Sequence, residues 1–527
     1  MAVAIPVVRR AHILLIISDS HPKGTAMYGA IRSSTLLGTR GTPIMVEAHV
    51  GNGMPGFTVV GLPDEGCRES RDRVRAAMLS SGLEWPNRRV TINLAGGGER
   101  KGGAAMDLAI AIGLLVAQGF ITQEAVDDCA FVAELGLDGS LRPVAGMAPL
   151  VDAVSQHEVV VAASATEESL LARPQRLRPV ATLGELVEVL ANNAQWPDVD
   201  IVQERVLHDV IPDLADVRGQ HAARVALEVA ASGFHHMLMV GPPGAGKSML
   251  ARRLPGLLPR LTDDEAFSCA MVRSAAGMKV TSGVASSPPY RAPHHSISMV
   301  AMVGGGSTHL RPGELSLASH GVLFLDEMGE FAPTVLDSLR APLEEGSVHI
   351  ARAHASITMP ARCLLVAATN PCPCGGAVTL GCSCSPSAKQ RYLRRFSGPI
   401  LDRFDIRINL VKPSTAELTG GLPGESSATV AARVKHVQHI SIERQGCLNS
   451  AISADVLDDV APLSPEAMNW LRNKLDDGRL SGRGYHRVRR VARTLADMHG
   501  EHELINSQWV EMALGMRVPV MVGTEVR

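Results

Sequence analysis

Several functional classes are marked by features this sequence has little of. Aromatic residues make up only 3% of its 527 positions, too few for a surface on which successive bases stack. The formal net charge is -2, so the chain is not a globally basic binder of polyanions. Any nucleic-acid contact has to come from local patches or from a pore built by several subunits. No apolar run approaches the ~20 residues of a membrane span. Residues 13–17 are apolar but too few for a signal-peptide core, and no small-residue cleavage site follows them. The expectation is a cytoplasmic protein with no membrane partner. Lysine is scarce, eight of 51 basic residues, so a lysine inside a motif is more informative than usual. The nine cysteines, in a chain without an export signal, read as reduced thiols or a metal site and not as a disulfide framework.

What is present is a globular composition, 46% hydrophobic and 20% charged, long enough for several domains. Residues 1–26 read differently from the rest; they are expected to be a disordered or mis-assigned extension, with Met27 as the functional start. Residues 27–190 form a first block. Its strands are expected at 44–50, 57–60, 89–94 and 159–162, and its helices at 69–81, 102–119 and 183–191. Residues 191–216, with Pro197 and Pro212, read as a linker. Residues 217–413 alternate helices with short apolar strands at 237–240, 322–325 and 364–368, the pattern of a parallel α/β sheet. Residues 414–520 lack strand-like runs and read as a helical bundle, with helices near 428–438, 465–475 and 486–498.

The motif that carries chemistry is Gly241, Pro242, Pro243, Gly244, Ala245, Gly246, Lys247 and Ser248, set between an apolar strand and a helix. That is the strand–loop–helix context of a P-loop. Its glycines let backbone N–H groups curl around phosphate oxygens, and the start of the helix adds a favourable dipole. Lys247 would reach the β and γ phosphates of ATP and Ser248 would ligate Mg²⁺. About 75 residues on, the buried strand 322–325 ends in Asp326 and Glu327. Asp326 suits the Mg²⁺ shell, and Glu327 suits the general base that activates the attacking water. Standing alone, such a pair is more often two solvated acids at a strand end; the preceding P-loop reverses that preference. A third buried strand ends in Asn370, which would hydrogen-bond the γ-phosphate or the lytic water, or simply form a turn before Pro371. Arg403 and Arg483 suit charge stabilisation from a neighbouring subunit, although spacing alone does not separate them from surface arginines.

In this order the elements resemble AAA+ ATPases. The strings Arg291-Ala-Pro-His-His295, Val303-Gly-Gly-Gly306, Arg311-Pro-Gly-Glu-Leu-Ser316 and Asn370-Pro-Cys-Pro-Cys-Gly375 are similar to the magnesium-chelatase-like family. Gly53-Met-Pro-Gly-Phe-Thr-Val-Val-Gly-Leu-Pro-Asp64 and Tyr485-His-Arg-Val488 match its YifB/ComM branch, and the resemblance covers nearly all of the chain from Met27. It implies an α/β fold: an AAA+ P-loop parallel-sheet core with a helical lid, preceded by an α+β Lon-protease-like, S5-like domain. It implies a homo-hexameric ring that hydrolyses ATP with Mg²⁺ and acts on single-stranded or branched DNA, as a branch-migration helicase in recombination during natural transformation. Arg403 would be the trans-acting finger and Arg483 the lid's sensor arginine. Residues 346–360 would form a hairpin facing the central pore, with Arg352 and His354 on or near it, and residues 292–306 a second pore-facing insertion.

The first block departs from its own resemblance. Where Lon proteases carry the serine and lysine of their dyad, this chain has Ala105 and Ala148. Neither supports acyl transfer, so the block is expected to be structural or DNA-interacting and not proteolytic.

Cys372, Cys374, Cys382 and Cys384 form two Cys-x-Cys pairs seven residues apart. Four thiolates in so short a loop are a candidate structural Zn²⁺ site, though paired zinc ligands usually stand two to four residues apart; reduced loop thiols are the alternative. His294 and His295 are set aside as a ligand pair because adjacent histidines rarely point the same way. Two arginine-rich clusters, around residues 389–403 and 483–493, fit DNA binding no better than they fit solvated faces and subunit interfaces. Two other functions compete with the DNA motor. One is a metal-insertion motor of the magnesium-chelatase type, disfavoured because those ATPase subunits lack the fused first block, so no porphyrin partner is expected. The other is a regulatory AAA+ scaffold, disfavoured by the intact Asp326–Glu327 pair.

Overall fold

Alternating burial along residues 44–50 builds the first sheet, with Ile44, Val46, Ala48 and Val50 facing inward. The computed structural model describes residues 27–96, 101–198, 211–280, 287–306, 310–352, 355–375, 382–396, 398–420 and 424–518. The expected N-terminal extension, His354 and much of the expected linker lie outside the described residues. The first sheet has seven strands: β1 (Tyr28–Leu37), β2 (Arg40–Gly51), β3 (Gly56–Val60), β4 (Arg89–Ala95), β5 (Cys129–Val132), β6 (Glu158–Ala162) and β7 (Arg176–Val180). Their order is β3-β4-β2-β1-β5-β6-β7. β1 and β2 form a long antiparallel hairpin running from Tyr28 opposite His49 to Leu37 opposite Arg40, while β5, β6 and β7 continue the sheet in parallel.

The helix Asp107–Ala117 is buried along its whole length and lies under β1 and β2. The contact is close enough that a Cβ at Gly29 would stand 2.7 Å from the Gly113 carbonyl. This helix was expected to start at residue 102; residues 102–106 instead form a bend and turn leading to it. β1, β5 and β7 were not expected. β1 was hidden because Ser33, Ser34 and Thr35 break its apolar pattern, yet Ser33 and Ser34 are fully buried. Their hydroxyls donate to the carbonyls of Phe131, at 2.8 Å, and Leu150, at 2.7 Å, which offsets the cost of burying them.

The second sheet holds β8 (Met237–Val240), β9 (Tyr290–Arg291), β10 (Val322–Leu325), β13 (Leu364–Thr369) and β14 (Ile406–Asn409). The intervening β11 (Ser347–Arg352) and β12 (Ala355–Pro360) form a separate antiparallel hairpin. The five strands run parallel in the order β9-β10-β13-β8-β14. β8, β10 and β13 are buried at every position, as parallel strands covered on both faces require. β14 was not foreseen; it is four residues long and carries Arg407 in the middle.

Residues 424–518 are helical, with longer helices at Ser427–Gln445, Pro465–Asp476, Gly482–Met498 and Ser507–Gly515. The Gly482–Met498 helix buries Val488, Val491, Ala492, Leu495 and Ala496. A polar junction fastens it to the parallel sheet. Buried Asp405, just before β14, binds Arg487 at 2.5 Å and lies 3.5 Å from His235. His235 in turn bonds Thr494 at 2.8 Å. The first block meets the sheet domain through the helix Met147–Asp152, which packs on the helix Asp263–Ala275. There the Ala148 N–H donates to the Ser274 hydroxyl at 3.2 Å, and that hydroxyl donates to Glu168.

Burial would raise the Asp405 carboxyl, but Arg487 and the His235 ring hold it well below the usual carboxylate range. A carboxylate so depressed stabilises the fold above pH ~4 and loses that contribution only as pH falls below it. Arg487→Ala leaves the buried carboxylate without its main partner and is expected to destabilise the protein by ~3 kcal/mol. In denaturant melts across pH the deficit should be largest near neutrality and shrink towards pH ~4, where the buried carboxyl takes up a proton.

Candidate nucleotide site

The parallel register puts three strand ends side by side. Val240 stands opposite Thr369 and Leu325 opposite Ala367. Gly241 follows β8, Asp326 follows β10 and Asn370 follows β13, all at the C-terminal edge where open α/β sheets bind ligands. The Gly241 N–H donates to the Thr369 carbonyl at 3.1 Å. Gly244 and Gly246 take positive φ of 78° and 87°, the backbone that lets the loop curl before the helix Lys247–Ala251 begins.

Residues 243–249, Asp326, Glu327, Thr369 and Asn370 enclose a cavity of about 300 Å³. Lys247 Nζ donates to the carbonyls of Gly241, at 2.6 Å, and Pro242, at 3.1 Å, and to Asn370 Oδ1 at 3.0 Å. Burial lowers the pKa of Lys247, while the charges of Asp326 and Glu327 work to raise it. Ser248 Oγ donates to Asp326 Oδ2 at 2.6 Å, so the hydroxyl and carboxylate suited to Mg²⁺ already adjoin. Glu327 takes the left-handed backbone conformation, φ 50°, which costs a residue other than glycine ~1–2 kcal/mol. Its carboxylate is exposed and stands 3.9 Å from His295 Nδ1.

His295 was missed as a partner of the site. The rings of His294 and His295 lie side by side with centroids 4.0 Å apart, so the expectation that adjacent histidines diverge fails here. Their segment is an irregular turn between β9 and the helix Met299–Val303, with no alternation to separate the rings. Tyr392 was missed as well. Its hydroxyl bonds Thr369 at 2.9 Å and lies against Gly329, where a Cβ would come within 2.5 Å of it. No spacing signal marks a tyrosine 22 residues beyond Asn370.

Arg403 and Arg483 do not line the cavity; no arginine is among its described lining residues. Arg403 is 6% exposed and pairs with Glu344 at 2.8 Å. Its Nη1 has no hydrogen-bond partner among the described residues. Burial, with the charges of Arg487, Arg483 and Arg340, lowers its pKa against the pull of Glu344. Arg483 is exposed at the start of the Gly482–Met498 helix. The rest of that arginine cluster is internal: Arg489 binds Asp458, Arg493 binds Asp497 and Arg487 binds Asp405. In the other cluster Arg391, Arg394 and Arg395 are exposed, and Arg395 pairs with Glu330.

The four loop cysteines converge. Their sulfurs lie within 4.8 Å of one another, with Cys372–Cys374, Cys372–Cys382 and Cys374–Cys382 at 3.4, 3.5 and 3.7 Å. Burial, then hydrogen bonding to Cys374 and Cys382, pushes the Cys372 thiol up to about 12.

Comparison with known proteins agrees with this architecture along the chain. Models described as magnesium chelatase subunit ChlI match residues 213–418, 46–165 and, for its C-terminal part, 424–517. The chain is 41% identical to competence protein ComM of Haemophilus influenzae over 93% of its own length and 97% of that protein. It is 40% identical to YifB of Escherichia coli over 92% and 96%. The chain belongs to the YifB/ComM family of magnesium-chelatase-like AAA+ proteins. A 234-residue stretch is also 26% identical to the DNA helicase MCM8 of Xenopus laevis, spanning 44% of this chain and 24% of that protein.

Of the two carboxylates lining the cavity, Asp326 accepts the Ser248 hydroxyl, while Glu327 is exposed and suits the general base expected from the sequence, with residues 241–248 suited to cradle the phosphates. Glu327→Gln is therefore expected to keep ATP affinity within ~3-fold and to lower turnover ~10²–10⁴-fold. Parallel nucleotide-binding and steady-state ATPase measurements check this.

Proposed function

We propose that this family member is an ATP-hydrolysing subunit of a homo-hexameric ring that moves along DNA, a branch-migration helicase serving recombination of incoming strands. The observation that carries the reading is a cavity lined by every side chain that an ATP-hydrolysing site calls for except an arginine. Lys247, Ser248, Asp326, Glu327 and Asn370 converge on one cavity, and none of the described residues lining it is an arginine. Arg403 keeps an unmet buried donor elsewhere, with Arg483 close enough to shift its pKa. Heterologous interfaces, in which one surface of a subunit meets a different surface of the next, close into rings. In such a ring Arg403 leaves Glu344 and meets the γ-phosphate bound by the next subunit, and Arg483 joins it.

The geometry of the cavity supports the following roles. Residues 241–248 bind the phosphates through backbone N–H groups, and Lys247 exchanges its contacts with the Gly241 and Pro242 carbonyls for phosphate oxygens. Ser248 and Asp326 would hold Mg²⁺, which supplies neutralisation of charge on the phosphates. Asn370 orients the lytic water and Glu327 accepts its proton. The four-cysteine cluster is read as a structural Zn²⁺ site. The DNA role is supported by the kinship with a competence protein and the partial likeness to a DNA helicase. The hairpin β11–β12, with Arg352 exposed at its end, and residues 292–306 are the elements proposed to face DNA in the pore.

The first block is proposed to be a non-proteolytic Lon-like domain. Ala148, at the position of the dyad lysine, is fully buried against the helix Asp263–Ala275, so the block is better placed to brace the ATPase than to cut a substrate. A metal-insertion role is the second reading, favoured by the names of the matching family models. It is disfavoured by curated relatives that match this chain, first block included, over nearly their whole length.

ATPase turnover should rise when branched or single-stranded DNA is added, and Lys247→Ala should abolish it. Turnover measured side by side with single-stranded, duplex and branched DNA tests the reading. No binding to any DNA in any nucleotide state would refute the DNA role while leaving the ATPase assignment standing.

A further inference from the structure

The cysteine cluster is tied to the catalytic cavity at both ends. Cys372 is two residues beyond Asn370 and 1% exposed. Its carbonyl accepts the Gly375 N–H at 3.0 Å in a tight turn. Gly375 has φ +70°, and a Cβ there would stand 2.8 Å from Pro243 Cγ, so this turn rests directly on the phosphate loop. Beyond Cys384, Ser385 caps the helix Pro386–Leu393 by accepting the Ala388 N–H. That helix carries Tyr392, whose hydroxyl returns to Thr369, the residue before Asn370. Arg395 then binds the Gly329 carbonyl and Glu330, each at 2.7 Å, on the turn that follows the acidic pair. The chain therefore leaves the sensor strand at Asn370, passes through four converging sulfurs and comes back onto the same strand one residue away.

The sulfur geometry suits a single ion. A tetrahedral site with Zn–S bonds of ~2.3 Å has sulfur–sulfur edges of ~3.8 Å. The three edges among Cys372, Cys374 and Cys382, 3.4, 3.5 and 3.7 Å, lie close to that value and far from the ~2.05 Å of a disulfide, and the Cys384 sulfur lies within 4.8 Å of all three. An all-thiolate tetrahedral site selects a soft or borderline ion such as Zn²⁺, and four protein ligands leave no open position for catalysis.

We propose that the four cysteines bind one Zn²⁺ whose task is to position Asn370: the ion closes the loop between Asn370 and Tyr392 and so fixes the sensor amide against Lys247 and the phosphate loop. The proposal rests on reading the cluster as a zinc site, and it makes the cysteines positioning residues that act through Asn370. Zinc loss then impairs the hydrolytic step more than ATP binding, because the backbone cradle at 241–248 does not depend on Asn370.

The test measures zinc content, ATP affinity and ATPase kinetics on the full-length chain. Protein purified under reducing conditions should carry one zinc per chain. Removing it with a chelator, or by the double change Cys374→Ser with Cys382→Ser, should lower kcat at least ~10-fold while ATP affinity shifts less than ~2-fold. Zinc returned to chelated wild-type protein should restore kcat. Asn370→Ala should lose a similar factor in kcat with zinc retained, and chelating that variant should cause little further loss, because the two changes remove one contribution. Absence of stoichiometric zinc would overturn the metal reading and this proposal with it. Stoichiometric zinc whose removal leaves kcat intact, weakens ATP binding equally, or adds fully to Asn370→Ala would overturn the positioning role alone.

Discussion

The candidate site depends on the register of three parallel strands. β8, β10 and β13 are buried on both faces, and each ends at the same sheet edge in a loop that carries residues of the candidate site. Because Val240 pairs with Thr369 and Leu325 with Ala367, the phosphate loop, the acidic pair and the sensor amide emerge as neighbours. A shift of one residue would turn every buried side chain to the opposite face and displace Asp326 from Ser248, 2.6 Å away. The cores on either side of the sheet therefore hold the geometry of the candidate site as well as the fold.

Two polar devices tie other parts of the chain to this sheet, one at each edge: Asp405 precedes β14 at the N-terminal edge, and the cysteine loop follows β13 at the C-terminal edge. One is the Asp405 junction, which links the end of the sheet to the Gly482–Met498 helix through Arg487 and, by way of His235, Thr494. Arg483 is borne on that same helix, four residues before Arg487, which also donates to the Arg403 carbonyl at 3.1 Å. The other is the cysteine loop, which leaves the sheet at Asn370 and returns at Thr369 through Tyr392.

Much of the site was legible in the sequence because its signals are local. An apolar run followed by Gly-rich loop, Asp-Glu or Asn is readable without the fold, and those residues do meet in one cavity. Non-local features were not legible. β1 conceals itself because Ser33 and Ser34 satisfy their hydroxyls on carbonyls roughly a hundred residues away. The arginines of residues 483–493 look like a basic surface, but most are neutralised by acids: Asp497 four residues on along the helix, and Asp405 and Asp458, which only the fold brings into reach. The Cys-x-Cys spacing is atypical for zinc, and the convergence of all four sulfurs appears only in three dimensions. The His294–His295 pair misled because a rule for regular elements was applied to an irregular turn.

The central claim is that each site is completed by an arginine from the next subunit. Its most direct test co-expresses two differently tagged chains, one bearing Lys247→Ala and the other Arg403→Ala, and purifies assemblies on both tags. Each variant alone should hydrolyse no ATP. Mixed rings should regain activity, up to about a quarter of the wild-type rate if interfaces act independently, since that share joins an intact phosphate loop to an intact finger. Normal hydrolysis by Arg403→Ala alone, or mixed rings as inactive as their parents, would contradict the account.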